Sequence, residues 1–297
     1  VSENDGTHIL TGGTGGLGML TARWLGESGK SHLVLVSRRG APTNADANWQ
    51  RLKSLDTIVR VARGDVSEPQ DVRQLALPPP AFPATSGIWH TAGVLADALV
   101  MQQNADRLRH VYAPKAVAVK ILHAATIGSS LKAFSLYSSI AATIYSAAQS
   151  NYAAANSCLD SVSLWRKNAA QVGASVQFGP WAELGMAATG SINSRMKAQG
   201  VGLVTTTQGL IALDATLRPN ASAVFALTPL KWPKFLRGAV PTILSAFAIR
   251  RNDVAPAMAL VPTHTEIAHC ALSLGAVIEM INRTAGGSVD ADAPLME

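Results

Sequence analysis

Tyr152 and Asn156 stand four positions apart, a spacing that brings side chains back to one face of a helix. Ser139, thirteen positions before the tyrosine, closes an apolar run that begins at Phe134. The stretch FSLYSSIAATIYSAAQSNYAAAN predicts a buried strand, a loop opening on Ser139, and a helix carrying Tyr152 and Asn156. A strand-end hydroxyl can then share one pocket with a phenol and an amide one helical turn apart. A phenol that gives a proton, beside a hydroxyl that orients a carbonyl, suits reduction of a ketone.

The elements upstream offer a place for a redox cofactor. Thr7 to Thr11 is a short apolar run leading into GGTGGLG, and a helical stretch follows. Gly13, Gly15 and Gly18 fit G-x-G-x-x-G, with Thr11, Thr14, Gly16 and Leu17 in or beside the loop. Glycines there would let the backbone approach a pyrophosphate at the helix N-terminus; a glycine turn closing an ordinary βα unit is the other reading. The next strand, 32–36, ends in Ser37-Arg38-Arg39-Gly40. Binding of NAD would call for an acid here, whereas guanidiniums suit the 2′-phosphate of NADP, with Ser37 and Arg38 the expected contacts. A solvated basic turn is the alternative.

The serine, the YxxxN pair and the glycine loop together resemble the short-chain dehydrogenase/reductases. The variant matched is that of ketoreductase domains in modular polyketide synthases, where the usual YxxxK becomes YxxxN. The likeness covers roughly residues 5–236. It implies NADPH as cofactor and a β-ketoacyl thioester, held on an acyl carrier protein, as substrate. It also implies that Tyr152 donates the proton, Ser139 orients the carbonyl, and Asn156 holds helix geometry or a water relay. VYAPKAVAVKILH matches the family's F-x-P-K-x-x-x-x-x-x-L-H, so Lys115 is expected to enter the site and lower the Tyr152 pKa. Asp65 and Val66 match the adenine-side position, although Asp65 is equally a turn former. HTAGV resembles the family's H-x-A-G turn, which places Ala92 and Gly93 under the nicotinamide ribose and leaves His90 structural. Pro180 and Trp181 match a loop bordering the nicotinamide, and Met186 begins an expected substrate lid reaching Gln199; a packed aromatic turn is the other reading of Trp181. Leu95-Ala96-Asp97 keeps the last aspartate of a stereochemical marker, and Ile144 stands where the opposite class has tryptophan. Both favour the D-hydroxyl.

Seven strands with intervening helices predict an α/β fold, a Rossmann-type, doubly wound and mostly parallel sheet with helices on both faces. Residues 1–236 form the expected catalytic domain and 237–261 a linker. Thr263 to Glu266 is a capping-box start to a C-terminal helical segment; residues 262–297 resemble the opening of an acyl carrier protein domain. The phosphopantetheine serine of that family would come just after Glu297. The chain is therefore expected to be a piece of a larger synthase whose other domains, including a structural subdomain before the catalytic one, are its partners.

Composition narrows the classes. With 297 residues, 48% hydrophobic, the chain can bury a large core. The formal charge of +6 is scattered, with no aromatic-interleaved basic stripe, which argues against nucleic acid. Cys158 and Cys270 lack metal-ligand spacing, so no metal site is expected and a reducing, cytoplasmic setting fits. No apolar run reaches the length of a membrane span. The remaining alternatives are a fatty-acid-synthase or free-standing reductase, an inactive scaffold, and an interaction module on a nucleotide-binding fold.

Overall fold

The computed structural model describes residues 6–40, 42, 46–76, 81–144, 148–184, 196–237, 240 and 242–247. They fall into two compact units: residues up to 184 with 202–229, and residues 196–201 with those from 230 on. Residue 236, the expected end of the catalytic domain, lies in the smaller unit. The carrier-like stretch, most of the linker and most of the expected lid lie outside the described residues.

The larger unit is built on seven parallel strands: β1 (Thr7–Thr11), β2 (His32–Ser37), β3 (Ile58–Arg63), β4 (Thr85–His90), β5 (Ala133–Ser139), β6 (Ala174–Phe178) and β7 (Val224–Leu227). Their order across the sheet is β3-β2-β1-β4-β5-β6-β7. The expected doubly wound sheet is present, and every pairing is parallel. β1 and β6 are buried along their whole length, as strands covered on both faces must be, which explains their unbroken runs THILT and ASVQF. Leu10, Leu33, Leu35 and Trp89 pack on one face with α1 (Gly16–Glu27) and α2 (Ala47–Lys53). Ile9, Val34, Val36, Ile88 and Phe134 pack on the other, where α3 (Pro69–Ala76) also lies. The order reverses between β1 and β4, and the crevice at the carboxyl ends of such strands is where this architecture binds ligands.

Residues 105–126 form two helices rather than one. α4 (Ala105–Tyr112) passes through a π-turn, Ala113–Val117, into α5 (Ala118–Thr126). Pro114 explains the break, because it has no N–H to give the preceding turn and its ring crowds the carbonyl there. α6 (Ser150–Asn168) is the long helix of the YxxxN pair, and α7 (Thr206–Thr216) begins on a capping box in which Thr205 and Gln208 each accept from the other's backbone N–H. In the smaller unit the single turn α8 (Trp232–Phe235) stacks Trp232 on Phe247 at 4.2 Å between ring centroids. No helix of the described residues is long and apolar enough to cross a membrane.

Candidate active site

The glycine loop divides its work. Gly12 has φ +68°, and a side chain there would collide with the backbone of Ala92; one on Gly18 would overlap the Gly12 carbonyl. Gly13 packs against Leu10 and Leu35 and donates to the Val36 carbonyl at 3.0 Å. These three let the chain pass close to itself. Gly15 and Gly16 differ, since a Cβ on Gly16 would meet only Leu184, at 3.6 Å. Gly15 caps α1 without a side-chain hydrogen bond, so the first-turn N–H groups stand open beside Thr14 and Leu17. That is a cradle for an anion, with the helix dipole behind it.

Next along the carboxyl edge, β2 delivers Ser37, whose hydroxyl accepts from the Arg39 N–H at 3.2 Å. Arg38 and Arg39 are exposed, with no ion-pair partner among the described residues. β3 runs one residue further than its apolar pattern suggests and pairs Arg63 with Ser37. Arg63 donates from Nε to the Arg38 carbonyl at 3.2 Å, so three guanidiniums share this corner. Arg63 was missed in the sequence because it reads as the solvated end of a strand; its position opposite the arginine turn is a product of sheet register.

At the other end β5 and α6 place the candidate reacting groups. Ser139 is the last residue of β5, and its hydroxyl accepts from the Ala141 N–H at 3.2 Å, capping a short 3₁₀ turn. Burial raises the Tyr152 phenol above its ordinary pKa; hydrogen bonds from Asn156 and Ser139 pull it down, and the Asp97 carboxylate pushes it up. Asn156 is fully buried, donates from Nδ2 to the Tyr152 carbonyl at 2.8 Å, and leaves Oδ1 with no partner among the described residues. The π-turn turns Lys115 inward to 3% exposure, where its ammonium donates to the Tyr137 carbonyl at 2.9 Å and lies 5.5 Å from the centre of the Tyr152 ring. Tyr152, Ser139, Asn156 and Lys115 therefore converge. One expectation changes: burial lowers Lys115 itself to about 7, and the groups that lower Tyr152 are Asn156 and Ser139. A buried ammonium is destabilised before it can stabilise a neighbour.

Gly93 makes this possible, because a Cβ there would sit 2.8 Å from Lys115 Cε. The backbone of Ala92 in turn passes close to Gly12, where a Cβ would not fit. His90 is fully buried and held at about 3 by burial and by the Lys115 charge, hence neutral, as a structural residue would be. Asp97 is exposed at the mouth, its carboxylate accepting from Gln149 at 3.0 Å.

Several expected cofactor residues have side chains engaged within the protein. The Thr11 side chain points into the protein and bonds His90 Nδ1 at 2.6 Å, because β1 is covered on both faces. Asp65 is a turn former, accepting from the Ser67 N–H at 2.9 Å and hydroxyl at 2.6 Å, and Val66 is core. Trp181 does not offer its ring to a cleft: it is buried 5.0 Å from Phe178 and presses on Gly209, where no side chain would fit. Burial of so large an apolar ring outweighs any use at the surface. Pro180, whose carbonyl accepts from Val204 at 2.7 Å, keeps its place in the loop. Met186 lies outside the described residues.

The donor set fits a nicotinamide dinucleotide: an open glycine cradle at an uncapped helix start, unpaired guanidiniums beside it, and a buried acceptor, Asn156 Oδ1, left over at the reacting end. Comparisons with known proteins point the same way. The KR domain family matches residues 6–183. Polyketide synthase GfsB of Streptomyces halstedii is 36% identical over 232 residues, 77% of this chain and 4% of that one. Pikromycin polyketide synthase component PikAII of Streptomyces venezuelae is 32% identical over 306 residues, 99% of this chain and 8% of that one. This chain thus spans less than a tenth of the length of these two relatives. Among solved structures, A-type ketoreductases from a modular polyketide synthase superpose with a TM-score of 0.73 at 36% identity, covering 77% of this chain and 49% of theirs. With a family match across most of the sheet and the Ser–Tyr–Asn–Lys cluster at its carboxyl edge, the chain belongs to the KR (ketoreductase) domain family of short-chain dehydrogenase/reductases.

Proposed function

We propose that this chain reduces the β-carbonyl of an acyl thioester to a hydroxyl with NADPH, during polyketide assembly, the acyl group being carried on an acyl carrier protein. The observation that carries the reading is the convergence of Ser139, Tyr152, Asn156 and Lys115 at the carboxyl end of β5 and the π-turn. When bound, the dinucleotide supplies the hydride for the carbonyl carbon. Gly15 and Gly16 with the first turn of α1 would hold its pyrophosphate, and Ser37, Arg38 and Arg63 its 2′-phosphate. Ser139 and Tyr152 hydrogen-bond the carbonyl oxygen, where negative charge develops, and the Tyr152 phenol passes its proton to that oxygen. Asn156 and Ser139 ease ionisation of the phenol. Lys115 in its protonated form, 5.5 Å from the ring centre, would offset the charge left behind, and Asn156 Oδ1 would accept from the water that returns a proton.

Residues 1–236 act as the catalytic domain, 237–261 as linker, and 262–297 as the start of a carrier domain; alignments with PikAII and with NorB of Streptomyces orinoci, each covering 99% of this chain, support continuity with synthase modules. Asp97 and the absence of tryptophan at Ile144 support a D-hydroxyl product; the class is read from these two positions rather than from overall likeness to A-type structures. The test follows nucleotide oxidation with a β-ketoacyl N-acetylcysteamine thioester, with chiral analysis of the product. NADPH turnover well above NADH turnover and a D-hydroxyl support the reading. Tight NADPH binding with no turnover would favour a scaffold role instead.

A further inference from the structure

Asp160 lies two turns beyond Tyr152 and one beyond Asn156, on the same face of α6. Among the described residues it is the one buried carboxylate, at 8% exposure, and Lys115 is the one buried lysine. A carboxylate taken out of water needs hydrogen bonds and an opposite charge. The hydrogen bonds come from β6: the Ser175 hydroxyl donates to Oδ1 at 2.6 Å, and Gln177 Nε2 donates to Oδ2 at 2.8 Å. Gln177 is itself oriented by the Thr143 hydroxyl, which donates to its Oε1 at 2.9 Å. No ion pair within contact distance supplies the charge among the described residues.

Sheet register supplies it. Lys115 is anchored on the Tyr137 carbonyl of β5, and Asp160 on Ser175 and Gln177 of β6. Tyr137 pairs with Val176 and Ser138 with Gln177, so the two anchors sit on neighbouring, directly paired strands. Ser138, on the same face as Gln177, reaches toward the Asn156 carbonyl at 3.4 Å, which places α6 directly over this pair of strands.

We infer that Asp160 is a positioning residue for the reaction, the buried counter-charge that keeps Lys115 protonated beneath Tyr152. Burial drives Lys115 down to about 7, and Asp160 is the group that opposes it. The other groups around this pocket are Tyr152 from α6, neutral His90 from β4, Tyr112 and Cys158 at the α4–α6 contact, and Asp97 at the mouth. Of these only Asp97 is an acid, and it is exposed and engaged by Gln149. The spacing 152, 156, 160 was visible in the sequence; the partner it serves comes from a helix some forty residues earlier.

The inference rests on the reductase reading for the use of the charge, so its test separates the two. In the full chain carrying ¹⁵N-lysine, the Lys115 Nζ signal, assigned with Lys115→Arg, is titrated in the native protein and in Asp160→Asn. The Lys115 pKa is expected to fall by about one unit or more in Asp160→Asn and to recover in Asp160→Glu. The alkaline limb of turnover moves down with it, whereas damage to packing alone lowers turnover equally at every pH. An unshifted Lys115 titration overturns the inference whatever the activity. A second variant guards against misfolding of the Asn form: Asp160→Ser, smaller and uncharged, is expected to lower the Lys115 titration in the same direction. No change there overturns the inference too. Absence of turnover in the native chain, with the Lys115 shift still seen in Asp160→Asn, would count against the reductase reading alone.

Discussion

Lys115 and Arg38 are both cations on the carboxyl edge of one sheet, yet burial has made them different reagents. Lys115 is 3% exposed, delivered by a π-turn, and driven to about 7 by loss of water. Arg38 is exposed on a β-turn whose Gly40 has φ +81°, with Arg39 and Arg63 beside it. At the Lys115 end the field is strong and local, and it depends on packing to within a few tenths of an ångström. At the Arg38 end it is shared among exposed side chains and screened by salt within about 8 to 10 Å. The buried end can tune a proton; the exposed end can sort cofactors.

Each end can be broken separately. The largest effect belongs to Tyr152→Phe, expected to lower turnover by about 10²–10⁴-fold while NADPH affinity, measured by fluorescence titration, stays within about twofold. Equal loss of both would erase the division between the ends. Gly93→Ala comes next: its methyl would stand 2.8 Å from Lys115 Cε, so the lysine must shift, at a cost of about 1–3 kcal/mol by chemical denaturation and with a displaced alkaline limb. Arg38→Ala is expected to weaken 2′-phospho-AMP binding about tenfold and leave 5′-AMP unchanged, by calorimetry. Arg63→Ala should weaken it less, because its Nε is partly engaged by the Arg38 carbonyl, and both effects should shrink at high salt.

The pH dependences of the buried end have opposite signs for activity and stability. As pH rises through about 7, Lys115 loses its proton, and turnover is expected to fall with it. The unfolded chain still holds that proton up to the ordinary lysine value of 10.5, so the Lys115 contribution to stability rises between about 7 and 10.5. His90, held at about 3 against its ordinary 6.5, binds fewer protons folded than unfolded in that window. Its contribution is therefore lost as pH falls from about 6.5 toward 3. Urea midpoints across pH for the native chain and Lys115→Met should show the alkaline gain disappear in the variant.

The legible parts were those carried by short periods. The spacing of Tyr152 and Asn156, the glycine loop and the apolar strands each follow from local geometry, and the doubly wound sheet follows from their alternation. What was not legible needed register or burial. A lysine on a helix is ordinarily a solvated surface charge, and only the family pattern brought Lys115 inward. Arg63 and Asp160 acquire partners across strands that no local spacing reveals. Trp181 and Thr11 go the other way: a loop residue and a strand-end residue read as facing a ligand, and the interior claims both side chains.

The π-turn at Pro114 has a consequence for how this site can change. Such a turn is one surplus residue inside a helix, and each residue of a helix advances the phase by about 100°. The inward aim of Lys115 is thus stored as a length, not as a choice of amino acid. Deleting Pro114 would remove the surplus residue and the cause of the break together, leaving a continuous helix with every later side chain rotated, and the lysine would swing toward solvent with its identity untouched. A domain drifting out of use could lose its proton chemistry this way while its sequence still displayed serine, tyrosine, asparagine and lysine.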